Sequence, residues 1–312
     1  MNGEVEKIIK QVEKVIVGKR EIVEKILISI FANGHVLLDD VPGIGKTTMA
    51  VAISRSLGLK FGRIQFTPDV LPSDITGFSM YNKESDSFVY KPGIAVGVNL
   101  LLADEINRTS SKTQSALLEA MEEGQVTVDG QTHPLKTPFI VIATQNNIGT
   151  TGTQLLPHAQ LDRFLVKLSI GYPDRKSELE IIKGRQTANP VDDVDCVMQV
   201  EDVKNKQNEV LGITVRDSIV DYIARLSEAS RNHQLLELGI SPRGSLFVNK
   251  MAKARAYVQG RDYVIPEDIQ DVFIDVCAHR VILSQTAKIG KINPQQALSV
   301  LIDEVTVPDG MK

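Results

Sequence analysis

The chain has 312 residues and a hydrophobic content of 42%, so it is long enough to form two domains with buried cores. Its formal net charge of −4 argues against a general polyanion-binding surface, although it does not exclude a local basic pore. The apolar stretches are only strand-length, which predicts no membrane span, and with no signal peptide expected we predict a cytoplasmic protein. Cys196 and Cys277 lack metal-ligand spacing, which predicts reduced thiols.

Two amphipathic helices are predicted first, one ending at Gly18 and the other at Asn33-Gly34. Short apolar runs then alternate with helical patterns. Five runs are predicted as buried strands: Val36 to Leu38, Arg63 to Phe66, Asn99 to Ala103, Phe139 to Ala143 and Leu165 to Ile170. This alternation predicts an α/β fold with a mostly parallel sheet covered by helices on both faces.

Two hairpin patterns, at about 76–95 and 124–136, interrupt the alternation and look inserted. Beyond residue 172 the pattern becomes helical and strand patterns are not found. The predicted helices there are Arg175 to Gln186, Asp217 to Ser230, Pro242 to Val258 and Pro266 to Arg280. We therefore expect an α/β core over 1–172 and a small all-α domain over 173–312.

A Gly-rich loop lies between the first strand and the next helix. Gly43 and Gly45 allow backbone N–H groups to surround a phosphate, Lys46 reaches the outer phosphates, and the Thr47 hydroxyl is placed to bind Mg²⁺. The loop departs from the Walker A pattern where Asp40 replaces a glycine. A Gly/Pro turn before an ordinary helix is the alternative. The predicted nucleotide-binding residues here are Pro42, Gly43, Ile44, Gly45, Lys46, Thr47 and Thr48.

Two adjacent acids, Asp104 and Glu105, follow the apolar run that begins at Asn99, as in a Walker B motif. Neighbouring side chains on a strand point opposite ways, so we assign Asp104 to the metal and Glu105 to activation of the attacking water. Solvated turn residues are the alternative for this pair taken alone.

Three further polar residues are candidates for contacts with phosphate. Asn146 follows the next strand and could orient the water, although an Asn there is often a turn residue. Arg163 lies at the end of a short helix, where it is either a surface arginine or an arginine finger. Arg243 lies in the first turn of a helix capped by Ser241, where the dipole disfavours a cation. A phosphate or a local carboxylate such as Glu237 would offset that cost.

The order of these elements resembles an AAA+ ATPase with Walker A, Walker B, sensor 1, arginine finger and sensor 2, and more narrowly the MoxR family. The resemblance extends over nearly the whole chain. It rests on VIVG at 15–18, GHVLL at 34–38, RIQFTPD at 63–69, LPSDITG at 71–77, ADEINR at 103–108, KTQSALLEAMEE at 112–123, AQLDRF at 159–164 and SPR at 241–243.

The resemblance implies further roles. Val17 and Gly18 would border the adenine, the hairpins would be the helix-2 insert and the pre-sensor-1 hairpin of a ring pore, and Arg108 would compete with or assist Arg163 at the neighbouring subunit's nucleotide. The chain departs from the family at Asp40, at His158, where an acid is usual, and at 147–149, where a proline-containing turn is usual. None of these departures removes a catalytic group.

We therefore expect an ATPase that uses ATP and Mg²⁺ in a homo-oligomeric ring, with a hexamer as the expected form, and that remodels or matures a protein client. The resemblance also implies a client with a von Willebrand factor A domain. A nucleic-acid motor of the minichromosome-maintenance type and a nucleotide-gated scaffold with negligible turnover are the alternatives. The acidic composition favours a protein client, and Glu105 favours hydrolysis.

Overall fold

A computed structural model describes residues 2–146, 156–184 and 190–308. Its strands are β1 Val36–Asp39, β2 Phe61–Gln65, β3 Gly77–Asn82, β4 Ser87–Pro92, β5 Leu100–Asp104, β6 Gln125–Val128, β7 Gln131–Pro134, β8 Ile140–Gln145, β9 Val166–Leu168, β10 Leu236–Leu238 and β11 Ile282–Leu283.

The α-helices are α1 Gly3–Glu13, α2 Arg20–Phe31, α3 Lys46–Ser56, α4 Pro72–Thr76, α5 Ser111–Glu123, α6 His158–Leu161, α7 Arg175–Gly184, α8 Val200–Leu211, α9 Asp217–Asn232, α10 Pro242–Val258, α11 Pro266–Cys277, α12 Gln285–Ile289 and α13 Pro294–Glu304. Short 3-10 turns cover Ile106–Arg108 and Pro190–Asp193. No helix in the described ranges is both long enough and apolar enough to cross a membrane.

The central sheet has five parallel strands in the order β2-β5-β8-β1-β9, which confirms the predicted α/β fold. All five predicted core strands are present. Because β8 lies between β1 and β5, the residues that follow these three strands meet at one edge of the sheet. Ligands bind at such an edge in open parallel sheets.

Side chains alternate between the two faces of this sheet. Leu38 and Leu102 belong to a hydrophobic cluster that also contains residues of α1, α2, α3 and the helices after β9, whereas Leu37 and Leu101 pack with α5 on the other face. The first cluster is continuous across both halves of the chain, since α2 packs against α8 and α10. The sheet edge is therefore held by packing on both sides.

The two predicted hairpins are present as β3–β4 and β6–β7. The rings of Tyr90 and His133 stack with centroids 3.7 Å apart, which joins one hairpin to the other. The prediction of helices alone after residue 172 was wrong in one detail, because β10 and β11 form a short antiparallel pair. Runs of two or three residues are too short for an alternating pattern to be recognised. The last predicted residues of the helix at Arg175 to Gln186 lie outside the described ranges.

Candidate nucleotide site

The loop from Asp40 to Gly45 leads from β1 directly into α3. Gly43 and Gly45 have φ of +85° and +93°, a left-handed conformation that glycine adopts without a steric penalty. Gly45 is the residue immediately before the helix, so the first N–H groups of α3 have no partner within the helix. Such free N–H groups and the positive end of the helix dipole form an anion-binding site.

Lys46 is the first residue of α3 and is 6% exposed. Its ammonium donates to the Asp40 carbonyl at 2.7 Å and to Oδ1 of Asn146 at 2.9 Å. Burial lowers the pKa of Lys46 below its ordinary value, whereas the nearby carboxylates of Asp40 and Asp104 act in the opposite direction. The cation is thus held at the sheet edge by acceptors that a phosphate oxygen could replace.

Asp104 and Glu105 are joined by a residue that the sequence did not indicate, Thr144. The Thr144 hydroxyl donates to Oδ1 of Asp104 at 2.6 Å and accepts the Glu105 N–H at 2.9 Å. The other carboxylate oxygen of Asp104 pairs with Arg63 at 2.9 Å. Glu105 has φ of +57°, an uncommon conformation for a residue with a side chain, and such residues concentrate at functional sites. The sequence signal for Thr144 was a polar residue directly after the apolar run Phe139 to Ala143.

Asn146 connects the lysine to the second acid. Its Oδ1 accepts from Lys46, and its Nδ2 donates to Oε1 of Glu105 at 2.8 Å. Asn146 is 100 positions from Lys46 and 41 positions from Glu105 in the sequence. The strand order brings the three together, because Asn146 follows β8 and its partners follow β1 and β5. Arg108 lies beside them, since its guanidinium pairs with Oε2 of Glu105 at 2.8 Å in the same subunit.

These residues line a cavity of about 350 Å³, here called the phosphate cavity. Its lining residues are Pro42, Gly43, Gly45, Lys46, Thr47, Thr48, Arg63, Gln65, Asp104, Glu105 and Asn146. The Thr47 hydroxyl and the Asp104 carboxylate fit Mg²⁺, which prefers oxygen ligands and takes few of them from the protein because phosphates and water complete its shell. The site therefore has a donor set suited to a Mg²⁺–nucleotide complex.

A second cavity of about 310 Å³, here called the base cavity, shares Pro42, Gly43 and Gly45 with the phosphate cavity. Its other lining residues are Val15, Ile16, Val17, Lys19, Ile44, Gly171, Tyr172, Pro173, Glu178, Ile181 and Ile182. Gly18 lies next to this lining at φ of +70°, and a Cβ there would be 2.2 Å from Oγ of Ser177 on α7. The apolar lining suits a planar base, and Gly18 allows α7 to approach it.

Asp40, which departs from the Walker A pattern, has a structural role. Its carboxylate accepts the backbone N–H groups of Ile170 and of Gly171, the latter at 3.3 Å. The residue therefore ties the start of the phosphate loop to the segment that follows β9. This explains how an acid is accommodated in a loop that binds anions, because its charge is already paired with two N–H donors.

Arg163 and Arg243 are brought together by Glu122 at the end of α5. Nε of Arg163 donates to Oε2 of Glu122 at 2.9 Å, and Nη2 of Arg243 donates to Oε1. These three residues, the arginine cluster, line a third cavity of about 400 Å³ together with His35 and Lys250. Burial alone would raise the pKa of Glu122, but the two guanidinium groups hold this pKa below its ordinary value.

The arginine cluster settles which carboxylate lies beside Arg243. Ser241 is the N-cap of α10, as predicted, and Arg243 lies in the first turn. Its carboxylate partner is Glu122 and not Glu237, which pairs with Lys288 at 3.8 Å. Glu122 is distant in sequence, so only the tertiary structure could identify it. His158 is the first residue of α6 and is exposed, while the departure at 147–149 lies outside the described ranges.

Comparison with known proteins agrees with this geometry. Residues 35–166 match the model of the ATPase family associated with various cellular activities (AAA), and residues 228–299 match that of the AAA lid domain. The chain is 48% identical to YeaC of Bacillus subtilis over 97% of the chain and 94% of that protein. It is 39% identical to Chaperone MoxR1 of Mycobacterium tuberculosis over 97% of the chain and 82% of that protein.

A solved structure gives the same result. The crystal structure of a protein from Cytophaga hutchinsonii, described as an ATPase, superposes with a TM-score of 0.90 at 38% identity, covering 98% of this chain and 95% of that one. An identity of this size over nearly full length relates the sequences as well as the folds. The chain belongs to the MoxR family of AAA+ ATPases.

Proposed function

We propose that this protein hydrolyses ATP with Mg²⁺ as a ring-shaped oligomer and uses the cycle to remodel a protein client. The observation that carries the proposal is the convergence of Lys46, Asp104, Glu105 and Asn146 on the phosphate cavity. Lys46 and the N-terminus of α3 bind the phosphates, and Thr47 and Asp104 hold Mg²⁺. Glu105 accepts a proton from the attacking water, and Asn146 keeps both Glu105 and Lys46 in place.

The ring is proposed from the position of the arginine cluster. Arg163 and Arg243 contact Glu122 and line a cavity whose residues differ from those of the phosphate cavity. A phosphoryl transfer site commonly needs a guanidinium that stabilises charge on the transferred group. In a ring, Arg163 and Arg243 of one subunit would supply it to the ATP of the next. We propose a hexamer, as expected from the family resemblance, with Arg108 assisting from its place beside Glu105.

A protein client is proposed from the surface of the first hairpin. Phe88 is 75% exposed and Tyr81 is 47% exposed, with their ring centroids 5.7 Å apart. Large exposed apolar groups mark surfaces that bind other molecules, and aromatic side chains are enriched at protein interfaces. The M. tuberculosis relative is named a chaperone, which also supports this choice. A client with a von Willebrand factor A domain is one form that the client could take.

The charge of both hairpins disfavours a nucleic-acid motor. The first hairpin carries two lysines, Lys83 and Lys91, balanced by Glu84 and Asp86, and the second carries Asp129 with no lysine or arginine between residues 125 and 134. Proteins that track a nucleic-acid backbone present an excess of positive charge. Aromatic hairpins without that excess fit a polypeptide better.

The test measures ATP turnover with an unfolded protein, reduced casein, or with single-stranded DNA at physiological salt. We expect casein to raise the rate, DNA to leave it unchanged, and Phe88→Ser to remove the stimulation while the basal rate stays. Phe88 is exposed, so this variant should fold. Stimulation by DNA that Phe88→Ser does not affect would favour the nucleic-acid motor, and no basal turnover in assembled rings would favour the scaffold.

A captured client gives a second test. Glu105→Gln should bind ATP and release it slowly, so a pull-down in ATP should retain the client. The same pull-down with Phe88→Ser added is the matched control, because its nucleotide site is unchanged. A protein retained by Glu105→Gln and lost on adding Phe88→Ser would be the client.

A further inference from the structure

A buried arginine outside the phosphate cavity and the base cavity contacts the turn that contains Arg163. Arg280 follows α11, in the part of the chain that matches the lid domain, and its side chain is 2% exposed. Its guanidinium lies against the turn between α6 and β9, residues 162–165. Helix α11 also packs directly against β9, the outermost strand of the central sheet, so this contact joins the lid to that strand.

The guanidinium binds the turn at several points. Nε donates to Oδ1 of Asp162 at 2.8 Å, and Nη2 donates to the Asp162 carbonyl at 3.2 Å and to the carbonyl of Phe164. Nη1 donates to the Leu165 carbonyl at 3.4 Å. The contacts therefore fall on both sides of Arg163 along the backbone.

The side chain of Arg163 is held by different groups. Its Nε donates to Glu122 and its Nη1 donates to the carbonyl of Ala159 at 3.0 Å. Arg280 thus fixes the backbone from which Arg163 extends, while α5 and α6 hold the guanidinium. A change at Arg280 would move the origin of the Arg163 side chain without removing the group that contacts phosphate.

A buried cation is costly unless its donors are satisfied, and an apolar residue of similar volume is often as stable. Stability alone therefore gives little reason to bury an arginine here. The planar guanidinium presents five donors in a rigid fork, so it can fix several carbonyl groups of one turn in a single geometry. The centroid of the Phe247 ring lies 4.9 Å from Cζ of Arg280, which adds a cation–π contact to the guanidinium.

We propose that Arg280 is a positioning residue that sets the place of Arg163 and thereby makes the arginine finger depend on the lid. The inference rests on the proposed function, in which Arg163 acts on ATP of the neighbouring subunit. Within the described part of the chain, the hydrogen-bond partners of Arg280 do not include any residue that lines the phosphate cavity. Its effect should therefore be on turnover in the next subunit and not on nucleotide binding in its own.

The experiment compares four variants in rings whose assembly is checked by light scattering: Arg280→Lys, Asp162→Asn, Arg163→Ala and Arg261→Lys. Asp162→Asn removes the charged partner of Arg280 and is nearly isosteric, so it covers the case in which Arg280→Lys fails to fold. Arg261→Lys is the matched control, because Arg261 also pairs with a buried aspartate, Asp268, but within the lid. We measure kcat, ATP affinity and thermal unfolding for each.

We expect Arg280→Lys to lower kcat by about 10²-fold, the effect of a misplacement near 1 Å, with ATP affinity unchanged. Asp162→Asn should lower kcat by a smaller factor, and Arg261→Lys should change unfolding but not kcat. Mixing Arg280→Lys with Lys46→Ala subunits should restore turnover, because Lys46→Ala subunits supply a correctly placed Arg163. General misfolding would not be rescued in this way.

Three outcomes would overturn the inference. Wild-type kcat in both Arg280→Lys and Asp162→Asn, with Arg163→Ala inactive, would refute the role of Arg280 while leaving the arginine finger intact. Full turnover in Arg163→Ala would instead refute the finger assignment in the proposed function, and the inference with it. Loss of turnover in Arg280→Lys that mixing does not restore, in rings that co-assemble, would show that Arg280 acts on its own subunit.

Discussion

The phosphate cavity and the arginine cluster are two polar regions of this chain, and they are built in different ways. In the phosphate cavity, Lys46, Asn146 and Glu105 form a connected hydrogen-bonded chain within one subunit. In the arginine cluster, two cations from different parts of the chain converge on the single carboxylate of Glu122. The first region holds a donor, an acceptor and a candidate base, whereas the second holds two guanidinium groups around one carboxylate.

This difference has a physical consequence. Residues at the ends of adjacent strands are placed by the sheet itself, so the phosphate cavity tolerates changes that leave the sheet intact. The arginine cluster depends on the packing of α5, α6 and α10, and on Glu122, whose carboxylate pairs with both guanidinium groups. We therefore expect substitutions in the arginine cluster to lower turnover without loss of ATP binding, whereas substitutions in the phosphate cavity can affect either step.

The largest effect is expected for Arg163→Ala. Loss of an arginine finger lowers turnover by roughly 10³–10⁵-fold, while ATP affinity should stay the same because the phosphate cavity is untouched. Mixing with Lys46→Ala, which has no working nucleotide site but an intact Arg163, should restore part of the activity. The measurement is the steady-state ATPase rate of each protein and of the mixture.

Arg225→Ala is the control, since Arg225 pairs with Asp221 on the same helix. If co-assembled mixtures stay inactive, Arg163 does not act across the interface and Arg108 becomes the better candidate. That result would assign the arginine of the reaction to Arg108, which pairs with Glu105, and would separate the arginine cluster from turnover.

Glu105→Gln should have the next largest effect, because it removes the base but keeps the shape of the side chain. We expect turnover to fall by about 10²–10⁴-fold, the usual contribution of a general base, with ATP still bound. Lys46→Ala should instead lose tight binding. Calorimetry with ATP distinguishes the two, and Glu228→Gln on the exposed face of α9 is the control. A Glu105→Gln protein with the wild-type rate would contradict the assignment.

Acid should weaken the region around the arginine cluster through His35. Nδ1 of His35 accepts the Val141 N–H at 3.0 Å, and Nε2 donates to the Met121 carbonyl at 3.1 Å. Burial lowers the pKa of His35 from 6.5 to about 4, so the folded protein keeps the ring neutral. Protonation of His35 therefore favours the unfolded state. The contribution of neutral His35 to the free energy of unfolding is fully present above pH 6.5 and is lost as the pH falls toward 4.

At pH 5 this loss amounts to about 2 kcal/mol relative to neutral pH, at 1.36 kcal/mol per pKa unit. Urea unfolding at pH 7 and pH 5 should therefore show a larger decrease for the wild type than for His35→Gln. Equal decreases in the two proteins would mean that His35 titrates normally and that the cluster has no special sensitivity to acid.

The smallest effect is expected for Asp40→Asn at the edge of the phosphate cavity. The amide keeps one acceptor for the Ile170 and Gly171 N–H groups but loses the charge, which should cost about 1 kcal/mol of unfolding free energy. Turnover should change little, because Lys46 is held by the backbone carbonyl of Asp40 and not by its side chain. A loss of ATP binding as complete as in Lys46→Ala would show that Asp40 acts on the nucleotide directly.

The sequence by itself determined the five strands of the sheet, the phosphate loop and the position of Asp104 and Glu105 at the end of a buried strand. These features depend on local patterns of apolar runs and turn residues. Asn146 could be placed beside them for the same reason, since parallel strands end at one edge. The assignments of individual roles within that site stay predictions.

Only the tertiary structure decided which groups lie beside those residues. Glu122 is 121 positions from Arg243, Arg280 is 118 from Asp162, and Thr144 is 40 from Asp104. Each contact depends on how helices and strands pack around the sheet, and neither hydrophobic periodicity nor motif spacing carries that information. Local chemistry thus predicted the phosphate cavity, whereas the arginine cluster and the turn that supports it were formed by packing.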